Sequence, residues 1–227
     1  MRFLIPLIFG LAGAAVLVGL GVWQVQRLAW KEGILADIEA RIAADPVALP
    51  ANPDPQSDRY APVEATGVLQ PGALRVLVSR KEIGAGYRII APLRLSDDRR
   101  IMADLGFVPT DEVEGAYDGA RITVEGNLHW PQEVDSYTPD PDTGANIWFA
   151  RDVPAMAAHL EAEPVLIVAR RIIPAVDGVE PLPVNTSAIP NDHLGYAITW
   201  FSLAVIWLVM TAAFMWRSRQ PTKGKAT

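Results

Sequence analysis

The stretch NDHLGYAITWFSLAVIWLVMTAAFMW, running from Asn191 to Trp216, decides how this chain is built. From Leu194 to Trp216 it carries no charged residue, and a helix needs about 20 such residues to cross a hydrocarbon core roughly 30 Å thick. The stretch therefore reads as a membrane-spanning helix. His193 stands just outside its first turn, at the depth where headgroups give way to hydrocarbon. An imidazole titrates near neutrality and ligates metals through either ring nitrogen, so a histidine held there is a candidate ligand as well as an interfacial polar group.

A second uncharged run, Phe3 to Trp23, is also long enough to span. Arg2 precedes it, as in a secretory signal, but the run exceeds the usual h-region of about 7–15 residues and no small-residue cleavage site closes it. It is expected to remain as an anchor. An Arg- and Ser-rich amphipathic transit peptide is missing, which points to a bacterial protein. After Trp216 come Arg217, Arg219, Lys223 and Lys225 with no acid, and a short basic tail stays cytoplasmic by the positive-inside rule. The expectation is a multi-pass protein of the bacterial inner membrane with both termini cytoplasmic and the central domain periplasmic. Its segments would be a first transmembrane helix at 3–23, an amphipathic helical extension at 24–45, an exported β-rich domain with linkers at 46–190, a second transmembrane helix at 194–216 and a basic tail at 217–227.

Residues 24 to 193 hold 15 of the 20 basic residues and all 26 acidic ones, a net charge of −11. Such a domain does not suit nucleic acid, whose phosphates demand basic surface. Its acidic face could attract a basic partner, though solubility is the plainer reading. The chain has no cysteine, which removes disulfides, thiolate metal sites, thioether haem attachment and thiol redox chemistry together.

Beyond Trp23-Gln24 the first helix is expected to continue, because Trp30, Ile34, Ile38 and Ile42 recur every four residues while Arg27, Lys31, Glu32, Asp37 and Glu39 take other faces. This extension should lie on the membrane or against the domain. Asp45-Pro46 stops it, and 46–59 reads as an extended linker. Strand-like alternation marks 60–69, 73–79, 87–95, 100–108 and 121–130, separated by the turn signals Pro71-Gly72, Gly84-Ala85-Gly86, Ser96-Asp97-Asp98 and Asp118-Gly119. An acidic loop at 131–146 precedes a short strand, Ile147-Trp148-Phe149. Asp152 caps a helix with Val153, Met156, Ala157 and Leu160 on one face, and 164–173 is a last strand before a proline-rich linker. The fold class is thus two transmembrane helices flanking an exported α+β domain, mainly an antiparallel sheet or partial barrel with one or two short helices.

No Walker loop, His-Glu-x-x-His or Gly-x-Ser-x-Gly elbow occurs. Of the three histidines, His129 closes a strand and reads as a surface or satisfied residue. Met156 and His159 lie at i, i+3 on one helix, a spacing that could hold Cu(I), although Met156 also fits the apolar face. His193 shares a helical stripe with Tyr196, Ala197, Trp200 and Ala204. A flat metal-centred ring such as haem could lie on that stripe with its iron on the imidazole. The residues alone favour the plainer reading, an interfacial histidine with Trp200 packed on the first helix.

Two flanking motifs carry a resemblance. Gly21-x-Trp23-Gln24-x-x-Arg27-x-x-x-Lys31 leaves the first span, and Asn185 with Asn191-x-His193-x-x-Tyr196-Ala197-x-Thr199-Trp200-Phe201 enters the second. With two spans around an exported domain, the whole chain resembles the Surfeit-locus-protein-one family of cytochrome oxidase assembly factors. The middle is similar too, with Gly84-x-Gly86-Tyr87 leading to Pro92, and Gly106-Phe107-Val108-Pro109 where the family usually shows Arg-Gly-Trp-Val-Pro. Leu105 and Phe107 replace the arginine and tryptophan, which suggests a divergent branch.

The resemblance implies a non-enzymatic chaperone of the respiratory chain that assists maturation of the haem-copper oxidase core subunit. Bacterial members are associated with haem a, and the family histidine matches His193. The implied site has His193 as metal ligand, Tyr196 and Trp200 on one side, and Trp23, Gln24 and Arg27 of the first helix facing them. Trp23 and Arg27 share a face, so the guanidinium could meet a haem propionate or serve only as an interfacial anchor. Implied partners are the oxidase core subunit, haem A synthase as the source of the cofactor, and the membrane. An alternative function is a cofactor-free membrane scaffold that holds the nascent core subunit and is indifferent to His193→Ala.

Overall fold

A computed structural model of the chain describes residues 4–80, 84–110, 117–187 and 189–219. In chain order its elements are α1 (Leu4–Ala43), β1 (Val47–Ala48), β2 (Pro62–Leu69), β3 (Leu74–Arg80), β4 (Gly84–Leu95), β5 (Arg100–Pro109), β6 (Arg121–Leu128), β7 (Ile147–Trp148), α2 (Val153–Leu160), β8 (Leu166–Ile173) and α3 (His193–Arg219). They form two compact units. One is a helical hairpin of residues up to Asp37 and from Ser187 onward; the other is Ile38–Thr186. Both α1 and α3 are long and apolar enough to cross a membrane. Lys223 and Lys225 of the expected basic tail lie outside the described residues.

Strand β2 shows how the second unit closes. Val63, Ala65 and Leu69 turn inward while Glu64 and Thr66 point out, the two-residue period of a half-buried strand. Its first part pairs with β6, and its last residues, Gly67 to Leu69, pair with the end of β4. Hydrogen bonding therefore runs in a ring, β2–β6–β8–β5–β4 and back to β2, so these five strands have no free edge where they close. The hairpin partner β3 and then β7 extend the sheet beyond β4. Pairing is mainly antiparallel, with parallel exceptions at β1–β2, β3–β7 and β5–β8.

Two apolar cores result. Ile89, Ala91 and Leu93 of β4 fill the ring together with Ile101, Ala103 and Leu105 of β5 and Ile167 and Ala169 of β8. The alternate residues Ile90, Met102, Leu166 and Val168 face outward, where α2 covers them with Val153, Met156, Ala157 and Leu160. Asp152 caps α2 by accepting from the Ala155 N–H at 3.1 Å. A bulge sits where Ile89 pairs with Gly106 and Ile90 with Asp104. The extra residue shifts the phase of β5, so Leu105 and Val108 both point into the ring. The family's arginine position is thus an interior apolar one in this chain.

Two sequence expectations, the turn at 84–86 and the wholly extended linker, are corrected. Gly84-Ala85-Gly86 is not a turn but the start of β4, paired with Arg80, Ser79 and Val78. A Cβ on Gly86 would come within 2.3 Å of the Phe107 ring, so glycine there makes room for an aromatic neighbour across the sheet. The linker after α1 includes the short strand β1. Helix α1 passes from the apolar run into the extension as one 40-residue helix with no break near Trp23. In the extension, Trp30 and Ile34 are exposed and Ile38 and Ile42 half-buried.

The last residues of α1, from Ile38 on, belong to the second unit. The Ile42 carbonyl, one of those a helix C-terminus leaves unpaired, accepts from Asn127 Nδ2 at 3.1 Å and from Arg170 at 3.3 Å. Asn127 also donates to the Tyr60 carbonyl at 3.1 Å.

Candidate functional site

In the hairpin unit, α1 buries Gly10, Ala14, Gly21 and Gln24, and α3 buries Ala197 and Ala204. Half-buried Leu17 and Leu28 continue the first set, and His193, Trp200, Trp207 and Thr211 the second. Spacings of three and four residues on both helices define a single seam. Rising positions on α1 meet falling positions on α3. A Cβ on Gly10 would strike Thr211, on Gly13 Trp207, and on Gly21 Phe201, all under 3.0 Å, so the helices run antiparallel and close together. The Trp207 indole N–H donates to the Gly10 carbonyl at 2.8 Å. Outside the seam the helices present leucine, isoleucine, valine and phenylalanine, the surface that lipid tails accept.

The seam ends at His193, the first residue of α3. The Tyr196 N–H donates to the Asp192 carbonyl at 3.2 Å and closes the first turn, which sets the imidazole over the entrance of the helix. His193 is half-buried, and its Nδ1 stands 2.8 Å from Oε1 of Gln24, itself only 8% exposed. Sequence reading placed both residues at the site; their direct contact is what it did not foresee. One signal was available. Gln24 continues the small-residue series at Gly10, Ala14 and Gly21 as its only strongly polar member.

The other candidate residues are distributed around this pair. The expected stripe of His193, Tyr196, Ala197, Trp200 and Ala204 divides, because Ala197 and Ala204 are covered by α1 while Tyr196 is 56% exposed. Trp200 lies between, half-buried. Trp23 is 53% exposed, and Arg27 places its guanidinium carbon 4.0 Å over the Trp30 ring. Arg27 therefore stacks with the next turn of its own helix. Asp192 contributes its backbone carbonyl to the turn, and its side chain is on the exposed side. An apolar cleft among Phe9, Trp207, Met210 and Phe214 opens toward the opposite end of the hairpin.

The remaining histidines belong to the second unit. His129 is buried and stacked on Tyr60, with ring centroids 5.3 Å apart. Burial lowers its pKa from 6.5 to about 4, helped by the charges of Arg151 and Arg59 and opposed by Glu133. His159 is exposed, its ring edge-on to Trp148, whereas Met156 is wholly enclosed in the outer core. The thioether and the imidazole do not share a site, and Met156 serves the apolar face instead of a copper ion. Among the described residues no three His, Cys, Asp or Glu side chains gather as a metal cluster.

Sequence reading also missed a buried ionic network. Asp104 on β5 has no exposed surface. One of its oxygens lies 2.6 Å from Arg88 and 3.3 Å from Arg151. Arg88 also donates to the Leu182 carbonyl at 3.0 Å, and Arg151 pairs with Glu133. Burial raises the Asp104 carboxyl against the pull of the two arginines, and burial lowers the Arg88 guanidinium. At Glu133 burial works upward, but the hydrogen bonds and charge of Arg151 outweigh it and hold the carboxyl below its usual range. The members come from four separate segments, so no local spacing announces them. Their effect is to pin the loop at 131–151 and the segment around Leu182 to the sheet.

A family model described as the SURF1 family matches residues 11–205. A SURF1-like protein of Monosiga brevicollis is 33% identical, over 86% of this chain and 82% of its own. Surfeit locus protein 1 of Homo sapiens is 28% identical, over 82% and 69%, and a SURF1-like protein of Rickettsia felis 29%, over 86% and 90%.

Proposed function

Because the chain belongs to the SURF1 family, we propose that it is a membrane-held assembly factor for a haem-copper oxidase, not an enzyme, and that it binds haem a for insertion into the core subunit. The observation that carries this reading is the position of His193, half-buried at the first turn of a helix long enough to span a membrane. A haem with a long isoprenoid tail is made and used within the bilayer, and an imidazole at that depth can take its iron without drawing the ring into water.

In this reading His193 ligates the iron. Exposed Tyr196 and half-buried Trp200 offer aromatic surface on α3, and exposed Trp23 offers it on α1. Arg27, stacked on Trp30, holds a cation at the level where a propionate would emerge. The rest of the haem edge would lie against the apolar outer faces of the hairpin. His193 would be the one side chain of this chain to hold the metal, which suits passing the cofactor to a site that supplies its own histidines. The positive-inside rule supports cytoplasmic termini and a periplasmic second unit at the bacterial inner membrane.

The test is the haem content of the client oxidase in cells lacking this chain. The core subunit should accumulate depleted of haem a, and the wild-type gene should restore it while His193→Ala does not. Full haem occupancy in the deletion strain would rule out haem delivery and leave a cofactor-free scaffold, and full rescue by His193→Ala would remove His193 as the ligand.

A further inference from the structure

A primary amide in the apolar seam of a membrane hairpin needs a partner, since a buried polar group without one costs free energy that packing does not return. Gln24 is that amide, 8% exposed in a series otherwise made of glycine and alanine. The partner it meets is the Nδ1 of His193 at 2.8 Å. A side-chain carbonyl oxygen can only accept, so the ring nitrogen facing it is the one that carries hydrogen. A neutral imidazole has one protonated nitrogen and one bare nitrogen, and the hydrogen bond made by the first decides which atom is left to ligate.

We propose that Gln24 is a positioning residue for His193: by accepting from Nδ1–H it fixes the imidazole as the tautomer whose Nε2 is unprotonated and ready to take a metal. This rests on the reading of His193 as a ligand, but assigns Gln24 a role through the imidazole in place of the contact with the cofactor first expected of it. The geometry has the form found around ligating histidines generally, where the second ring nitrogen is held by an oxygen acceptor that sets the tautomer and raises ligand basicity. It differs in where the acceptor comes from. Gln24 lies on the other helix of the hairpin, so the ligand is set correctly only when α1 and α3 are zipped along their seam. A hairpin held apart would leave the ring free to turn and to place its proton on Nε2, the tautomer that an unconstrained neutral histidine prefers and that binds no iron through that atom.

The experiment uses the full chain in detergent micelles as wild type, Gln24→Met and Gln24→Glu. Methionine fills nearly the same volume without a carbonyl, and glutamate keeps an acceptor oxygen at the same reach. In the haem-free protein above neutral pH, nitrogen NMR of labelled histidine reads the tautomer of His193. Haem a is then titrated in, with the binding constant and the iron–histidine Raman stretch as readouts. Wild type should hold its proton on Nδ1, and Gln24→Met should move it largely to Nε2. The methionine variant should also lose about 10–100-fold in haem affinity, the usual effect of removing a ligand's hydrogen-bond partner, and lower the stretching frequency. Gln24→Glu should recover the Nδ1–H tautomer and most of the affinity. A proton on Nε2 in the wild type would overturn the proposal, as would a methionine variant with unchanged binding and unchanged stretch. Folded wild-type protein that takes up no haem would instead sink the ligand reading itself, and the tautomer measurement would then decide the role of Gln24 alone.

Discussion

In the second unit Asp104 is wholly enclosed, with two arginines against one of its oxygens and a further carboxylate behind them. In the hairpin Gln24, nearly as deep, meets the imidazole of His193 at 2.8 Å. The first arrangement sets two carboxylates against two arginines and fixes loops to a sheet, although the second oxygen of Asp104 is buried without a hydrogen-bond partner. The second joins an amide oxygen to one ring nitrogen at the end of the helical seam. Depth of burial is similar in the two places, so burial alone does not distinguish a structural polar group from one available for binding. What distinguishes them is the company each group keeps: charged partners from several segments around Asp104, and one half-buried imidazole beside Gln24.

The sharpest way to break that comparison is Asp104→Ala. It leaves Arg88 and Arg151 facing each other in a dry site, and removing one member of a buried ionic group typically costs about 3–5 kcal/mol. Thermal unfolding of the purified protein should show the second unit melting far earlier, with the helical signal of the hairpin less affected. Unchanged melting would mean that the network is not structural.

A somewhat smaller effect should come from His129. Its folded pKa of about 4 lies below the ordinary 6.5, so between those values the unfolded chain binds the proton and the folded one does not. Stability from this group is complete above pH 6.5 and declines as pH falls toward 4, by about 3 kcal/mol at most. His129→Gln should flatten that part of the profile, and the same acid dependence in the variant would contradict the assignment.

The smallest effect concerns the hairpin seam. Gly21→Ala brings a methyl within 2.7 Å of the Phe201 ring, which is 37% exposed and can yield, so about 1 kcal/mol of helix association should be lost. Förster transfer between labels on the two helices in bilayers would show the separation. A loss as large as that from Asp104→Ala would mean that the seam packs as tightly as the sheet.

How much of this could be read in advance varies with distance along the chain. The membrane helices follow from uninterrupted apolar runs, and most strands from two-residue alternation, because both are local patterns. Ring closure by Gly67–Leu69 on the end of β4 is not local, and neither is the bulge at Leu105 and Gly106. Gly84-Ala85-Gly86 read as a turn because its glycines answer to a distant Phe107 ring. His193 and Trp200 were legible from their place on the span. Gln24 was legible as a motif residue, yet its bond to His193 depends on two helices 169 residues apart meeting in one register.

The most direct measurement is the visible spectrum of the chain purified in detergent after co-expression with the haem a biosynthetic enzymes, wild type beside His193→Ala. The wild type should show a haem a spectrum that is lost or strongly altered in the variant. Equal haem in both proteins would move the iron to another residue, and a folded wild type without haem would contradict the carrier outright.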